Sequence, residues 1–293
     1  MCAEPTENDA GFAHHVMMSA MTDDFAAPHG SGLFRRLSWL WVLVAGVVSY
    51  LVVLRTLVAT ENLNFVPSLI LLGSVVVPTS VLVFAASGGR SALVSPGPLA
   101  LIAIAGGVLG TVAAGTLEYD ALRRLGFLPM IMVGLIEEAA KLIVPILVLI
   151  FSRSRRPRAG VIIGVASGMG FATLETMGYA FSALLSSGSL AALEQTVLLR
   201  ALLSPAGHVA WTGVTVAALW SVVGSPRKGR AVARAVGVFL AAVLLHAAWD
   251  GLNSLWVHVI VGGGSLITLL LTIRWAHRDP RSQLGVRTPE PAP

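Results

Sequence analysis

Long apolar runs alternate with short polar segments along most of the chain. A helix needs about 20 apolar residues to cross the hydrocarbon core of a bilayer, and each run is close to that length. We therefore predict an all-α fold, a polytopic transmembrane helical bundle with about eight membrane-spanning helices. The predicted spans are Leu37–Val58, Val66–Ser87, Leu99–Leu117, Phe127–Phe151, Gly160–Leu185, Ala206–Gly224, Ala231–Trp249 and Leu255–Ile273.

Polar segments rich in Pro, Gly and charged residues flank the apolar region, and such composition is typical of disorder. Four regions are predicted on this basis. They are a disordered cytoplasmic tail at 1–33, N-terminal transmembrane helices 1–3 at 34–125, a transmembrane core of helices 4–8 at 126–275, and a disordered cytoplasmic tail at 276–293.

The composition excludes a soluble protein. Hydrophobic residues make up 55% of the chain and charged residues 12%, whereas a soluble domain carries roughly twice that share of charge. The lipid bilayer is therefore the expected surrounding. The net charge of +5 does not indicate a nucleic-acid partner, because membrane proteins gather Lys and Arg on one side of the membrane.

Lys and Arg are distributed unevenly between the two sides of the predicted bundle. With the amino terminus inside, fifteen of the 20 fall in inside segments, four fall in outside segments, and Lys141 lies within a span. The outside residues are Arg55, Arg123, Arg124 and Arg200. This bias predicts that both termini are cytoplasmic.

Three ionisable residues, Glu137, Glu138 and Lys141, interrupt the apolar run Phe127–Phe151. A charge at this depth costs a few kcal/mol or more, so it faces a protein interior or a water-filled cavity. In a helix Lys141 lies on the face between the two glutamates and reaches either one. The trio is either a structural ion pair or part of a functional site.

The fifth predicted span contains one charged residue, Glu175. Gly160, Gly164 and Gly168 precede it at four-residue spacing, which permits close backbone contact with a neighbouring helix. A tightly packed helix with a lone carboxylate predicts that Glu175 points into the bundle.

Two histidines stand at the ends of the next spans. His208 opens the sixth span, and His246 closes the seventh, one helical turn before Asp250. The Asp250 carboxylate can accept a hydrogen bond from the His246 ring and fix its tautomer. The outer segment 186–204 between spans is amphipathic, which is typical of an interfacial connector or of a gate over a site.

The predicted depths bring these residues together. At about 1.5 Å per residue, Glu137 and Glu175 lie roughly 15 Å below the outer surface. His208 and His246 lie near the outer ends of their helices. We therefore predict a single site in the outer half of the membrane.

Histidine nitrogens and carboxylate oxygens suit zinc, with water completing a catalytic site. A buried Glu can instead activate water as a general base without metal. Either chemistry gives hydrolysis inside the membrane. Intramembrane Glu, His and Lys also serve proton-coupled transporters, and a scaffold that keeps the polar cluster for packing is a third possibility.

The motifs resemble those of the PrsW family of intramembrane proteases, which is related to CAAX-processing and bacteriocin-maturation proteases. Residues 137–141 resemble its EExxK motif, and residues 171–175 resemble its FxxxE motif. Residues 208–211 and 246–250 resemble its two later histidine motifs. CAAX-type prenyl-protein endopeptidases, the related alternative, typically carry EExxxR and FxxxH, so Lys141 and Glu175 favour the PrsW branch.

The resemblance implies a multi-pass enzyme of the bacterial plasma membrane, usually described as a metalloprotease. Its implied substrate is a single-pass membrane protein, for which an anti-sigma factor cut on its extracytoplasmic side is the example. This makes 126–275 the expected catalytic core, with Zn2+ as the expected cofactor.

Roles follow from the resemblance and from the residue types. Glu137 is the expected general base, and Glu138 is an alternative base or ligand. Glu175, His208 and His246 are expected to hold the metal or the nucleophilic water. Asp250 orients His246, and Lys141 balances the glutamate pair.

Overall fold

The structure is a computed structural model that describes residues 36–87, 94–151 and 157–278. The described residues form helices and contain no strand. The helices are α1 (Ser38–Thr60), α2 (Val66–Ser87), α3 (Pro96–Leu125), α4 (Met130–Lys141), α5 (Ile143–Phe151), α6 (Pro157–Ser187), α7 (Leu190–Leu203), α8 (His208–Val223), α9 (Lys228–Gly251) and α10 (Leu255–Arg278). The predicted tail 1–33 lies outside the described residues, as does the predicted tail 276–293 beyond the end of α10 at Arg278.

The all-α transmembrane bundle is confirmed. Within the described ranges, seven helical stretches are long and apolar enough to cross a membrane, and α4 with α5 forms a further, interrupted apolar pair. Large apolar side chains are exposed along α1, α3, α9 and α10. An aqueous surface does not tolerate patches of that size, so these faces belong in lipid.

The predicted span Phe127–Phe151 is not one continuous helix, because it breaks at Leu142 between α4 and α5. Pro145 explains the break. Proline has no N–H to donate to the carbonyl four residues earlier, and its ring displaces that carbonyl. The released carbonyl belongs to Lys141, and it accepts a hydrogen bond of 2.9 Å from Ser167 Oγ on α6. The break therefore joins α4 to α6 at the level of the charged residues.

Helix α6 lies at the centre of the bundle, where it packs against α2, α3, α7 and α8. The predicted glycine ladder is confirmed as its contact with α8. A methyl group at Gly164 would lie 2.7 Å from the Thr212 carbonyl, and one at Gly168 would lie 2.8 Å from the His208 carbonyl. The absent side chains let the two backbones touch, which brings His208 beside α6.

The contact between α6 and α3 depends on Gly170, where an added methyl would overlap the Ala103 carbonyl of α3. We expect Gly170→Ala to lower the free energy of unfolding by about 1–3 kcal/mol, because two backbones must separate. Gly178→Ala on the same helix is the matched control, since nothing lies within 4 Å of its added methyl. Alanine there should stabilise the helix by up to about 1 kcal/mol. Thermal unfolding in detergent measures both variants, and equal midpoints would contradict the prediction.

The predicted amphipathic segment 186–204 contains α7, whose buried side chains are Leu193, Val197 and Ala201. The first two lie in one apolar cluster with residues of α1, α2 and α6. Helix α7 is therefore packed against α1, α2 and α6 as part of the bundle.

Candidate active site

Lys141 is the centre of the site. Its side chain is fully buried, and Nζ donates a hydrogen bond of 2.8 Å to Glu138 Oε1. Nζ also lies 3.3 Å from Glu137 Oε2. The prediction that one lysine reaches both glutamates is thus confirmed. The ammonium lies 4.4 Å from the ring centroid of Phe171, a cation–π contact that gives the first residue of the 171–175 motif a role.

Lys141 also fixes the tautomer of His208. Its Nζ lies 2.8 Å from His208 Nδ1, and an ammonium can only donate, so Nδ1 accepts. The neutral ring then carries its hydrogen on Nε2, which lies 2.9 Å from Glu175 Oε2. Helices α4, α6 and α8 are therefore connected through a single ring.

His246 reaches the site because Gly134 lets α9 approach α4. A methyl at Gly134 would lie 2.8 Å from the Val243 carbonyl and 3.4 Å from His246 Cβ. The ring donates a hydrogen bond of 2.8 Å from Nδ1 to Glu138 Oε1, since a carboxylate oxygen only accepts. Its Nε2 lies 3.1 Å from Asp250 Oδ2, one turn along α9.

Two buried acceptors face each other beside Lys141. Glu137 Oε2 and His246 Nε2 are 3.5 Å apart, and neither has a hydrogen-bond partner of good geometry among the residues that the structure describes. With Nδ1 holding the hydrogen, the neutral His246 ring presents a lone pair to the carboxylates. Such an arrangement is stable only with a proton or a metal ion between the acceptors.

The donor set fits a metal. Glu137, His208 and His246 each offer a ligand atom, and these atoms lie within 4.8 Å of one another. Two ligands about 2.1 Å from a tetrahedral zinc ion are roughly 3.4 Å apart, close to the separation between Glu137 Oε2 and His246 Nε2. Glu175, which was predicted among the ligands, instead lies against His208 and Arg200, its Oε2 being 2.8 Å from Arg200 Nη2.

Aromatic side chains hold the histidines in place. The Trp211 ring stacks on His246 with centroids 5.0 Å apart, and it meets His208 edge-on at 5.6 Å. Trp211 Nε1 donates a hydrogen bond of 2.9 Å to Ser265 Oγ on α10. This bond orients the indole and, through it, the imidazole of His246.

Sequence reasoning missed Glu118 and Arg200. Glu118 lies on α3, where its charge interacts with Glu137, Glu175 and Lys141. Its Oε1 is buried, and no hydrogen-bond partner for it exists in the described part of the chain. The predicted span ended at Leu117, which placed Glu118 outside the membrane. Its four-residue spacing from Ala114 becomes informative only in the structure, where Ala114 packs against Ala140 and Phe171.

Carboxylates outnumber fixed cations around the site. The carboxylates are Glu118, Glu137, Glu138, Glu175 and Asp250, and the cations are Lys141 and Arg200. An excess of negative charge away from water is compensated by a cation or by protonation. A divalent metal ion is one species that would compensate it.

Burial falls from one side of the site to the other. The Lys141 and His246 side chains are 0% and 1% exposed, those of His208 and Glu175 are 15% and 17% exposed, and that of Asp250 is 38% exposed. The side of the site that carries Asp250, His208 and Glu175 is therefore its more open side.

A family model described as PrsW family intramembrane metalloprotease matches residues 77–275. The match takes in the second half of α2 and all of α3, in which sequence reasoning found no motif. It covers every residue of the site. No curated protein and no solved structure matches the chain.

Proposed function

The chain belongs to the PrsW family of intramembrane metalloproteases, and from this membership and the site geometry we propose that it cleaves a single-pass membrane protein with water activated by Glu137. The chain is a multi-pass membrane protein and a protease. The observation that carries the proposal is the pair of buried atoms, Glu137 Oε2 and His246 Nε2, that face each other without a well-aligned hydrogen bond in the described structure.

Glu137 is the base in this proposal because its Oε2 is free of good hydrogen bonds. Glu138 is less suitable, since its Oε1 already accepts from Lys141 and His246. Glu137 takes a proton from water as the water oxygen bonds to the scissile carbonyl carbon. When the carbon–nitrogen bond breaks, Glu137 returns that proton to the leaving amine. One water is consumed, and a carboxyl and an amino terminus are formed.

Glu137, His208 and His246 would hold a zinc ion, which when bound polarises the scissile carbonyl and acidifies water. A carboxylate has two oxygens, so with zinc bound Oε2 would face the ion and Oε1 would accept the proton, whereas without zinc Oε2 would accept it. Glu138 holds Nδ1 of His246, and Glu175 lies at Nε2 of His208. Asp250 is exposed and Glu175 is partly exposed, and in this proposal both lie on the substrate side of the site.

The proposed setting is the bacterial plasma membrane with both termini in the cytoplasm. The charge bias of the loops supports this orientation. With both termini in the cytoplasm, the site would lie in the outer half of the membrane. This position is compatible with cleavage of an anti-sigma factor on its extracytoplasmic side. The substrate must present an extended backbone, because the carbonyls of an intact helix are hydrogen-bonded within it.

The test is co-expression with tagged single-pass membrane proteins, read by fragment size. We expect wild-type protein to release a fragment and His208→Ala or Glu175→Ala to reduce it at least about 10-fold, since orienting groups and ligands contribute that much. His258→Ala is the matched control, because its Nδ1 bonds the carbonyl of Ser254, the residue just before its own helix. Undiminished cleavage by both site variants would remove the proposal.

Metal removal separates the two hydrolytic mechanisms. We expect purified protein to contain about one zinc ion per chain, to lose cleavage when a chelator removes the ion, and to recover it on zinc addition. The measurement pairs metal analysis with the cleavage rate on the same sample. Full activity in metal-free protein would instead establish a glutamate-activated water without zinc.

A further inference from the structure

Arg200 belongs to none of the sequence motifs, yet helix α7 holds it against the site. Leu193 and Val197 are fully buried, and a methyl on Gly73 of α2 would overlap the Val197 side chain. Ala201, next to Arg200, is also buried. Residues so packed do not move independently of the bundle, so α7 presents Arg200 from a fixed position.

Two contacts constrain the guanidinium of Arg200. Its Nη2 lies 2.8 Å from Glu175 Oε2, and its Cζ lies 3.9 Å from the ring centroid of Tyr179. Glu175 and Tyr179 are four residues apart and share one face of α6. A planar guanidinium stacked on a ring and paired with a carboxylate is held in position and in plane.

The same carboxylate oxygen lies 2.9 Å from His208 Nε2. Glu175 is thus held by two short ion-pair contacts, neither of which is aligned as a hydrogen bond among the described residues. We infer that Arg200 is a positioning residue of the site, which holds Glu175 against Nε2 of His208 and so leaves Nδ1, which faces Lys141 Nζ, as the ring nitrogen that a metal ion or a water would take over. The inference rests on the proposed function, because it assigns His208 to the metal or water. Arg200 also neutralises Glu175, which keeps this carboxylate an orienting group rather than a competing ligand.

Carboxylates that hold the second nitrogen of a ligating histidine typically account for 10- to 100-fold in metal affinity or activity. We therefore expect Arg200→Ala to lower zinc affinity about 10- to 100-fold. Its kcat should fall by a similar factor with little change in KM, because in this inference Arg200 acts through Glu175. Arg200→Lys keeps the charge without the stacked plane, and should recover part of both losses.

Tyr179→Leu tests the stacking contact without altering any charge. It should give a smaller loss of zinc affinity and kcat than Arg200→Ala. Arg123→Ala is the matched control, since the Arg123 guanidinium lies 5.6 Å from the Tyr119 ring centroid, and it should match wild type. Purified full-length protein is assayed by chelator competition for zinc, by cleavage rate, and by thermal unfolding.

The outcomes separate this inference from the proposed function. Arg200→Ala protein with wild-type zinc affinity and kcat, whether or not it unfolds earlier, would reduce Arg200 to a structural ion pair and overturn the inference. If Arg200→Ala does not fold, the same measurements on Arg200→Lys and Tyr179→Leu decide: wild-type zinc affinity and kcat in both would overturn the inference. A wild-type protein that neither binds zinc nor cleaves would overturn the proposed function itself.

Discussion

Glu137→Gln is expected to abolish cleavage while leaving the protein folded. The amide keeps the size of the side chain, but it can neither take a proton from water nor supply an anionic ligand. General bases contribute about 10²- to 10⁴-fold, so the rate should fall by at least about 100-fold. Initial cleavage rates of purified protein in proteoliposomes measure the change, and zinc content on the same sample should fall as well.

Asp120→Asn is the matched control for this substitution. It makes the same chemical change at an exposed carboxylate of α3, and we expect wild-type cleavage. A Glu137→Gln enzyme that retains most of its activity would exclude Glu137 as the base, and Glu138 would then be the remaining candidate in the same motif.

Contacts within one helix could be predicted from spacing alone. Lys141 reaches Glu137 and Glu138, and His246 lies beside Asp250, because side chains three and four residues apart meet on a helix surface. The convergence of Glu137, His208 and His246 was also predicted, from the depth of each residue along its span. The depth of a residue follows from the number of residues between it and the end of its span and from the fixed rise per residue of a helix, so it can be estimated from the sequence.

Contacts between helices could not be predicted in the same way. The Lys141–His208 pair spans 67 positions along the chain, and the Glu138–His246 pair spans 108. Such pairs depend on how each helix is rotated and where it crosses its neighbour, which packing decides. The break at Leu142 is an example. Pro145 displaces the Lys141 carbonyl, and the partner that this carbonyl then finds, Ser167 Oγ, lies on another helix.

The position of Glu175 illustrates the difference. Its depth was predicted well enough to place it near His208, but its partner was not. Arg200 on α7 pairs with the carboxylate, while Glu137 rather than Glu175 joins the two histidines. The sequence contained Arg200 in an amphipathic segment, where a charge normally faces water or lipid headgroups. Arg200 faces the site because Leu193 and Val197, on the same helix, are buried against the rest of the bundle.

Lys141→Met is expected to produce the largest loss of stability. The substitution removes a fully buried ammonium and leaves Glu137 and Glu138 adjacent without a cation. Removing one partner of a buried ion pair costs about 3–5 kcal/mol. Cleavage should also be lost, because the Lys141 ammonium no longer positions the carboxylates of Glu137 and Glu138. Thermal unfolding in detergent and cleavage rate measure the two effects, with Lys228→Met, at an exposed lysine, as the control.

A double variant tests whether the loss comes from unpaired charge. Lys141→Met combined with Glu138→Gln removes one charge of each sign, and the Gln carbonyl can still accept from Nδ1 of His246. The two substitutions should therefore be non-additive, with the double variant more stable than Lys141→Met alone. If the single lysine variant unfolds and cleaves like wild type, Lys141 is not the compensating cation of the site. If the double variant is less stable than both wild type and Lys141→Met, unpaired charge is not the cause of the loss, because neutralising Glu138 would have relieved it. The loss would then come from the packing of the lysine stem.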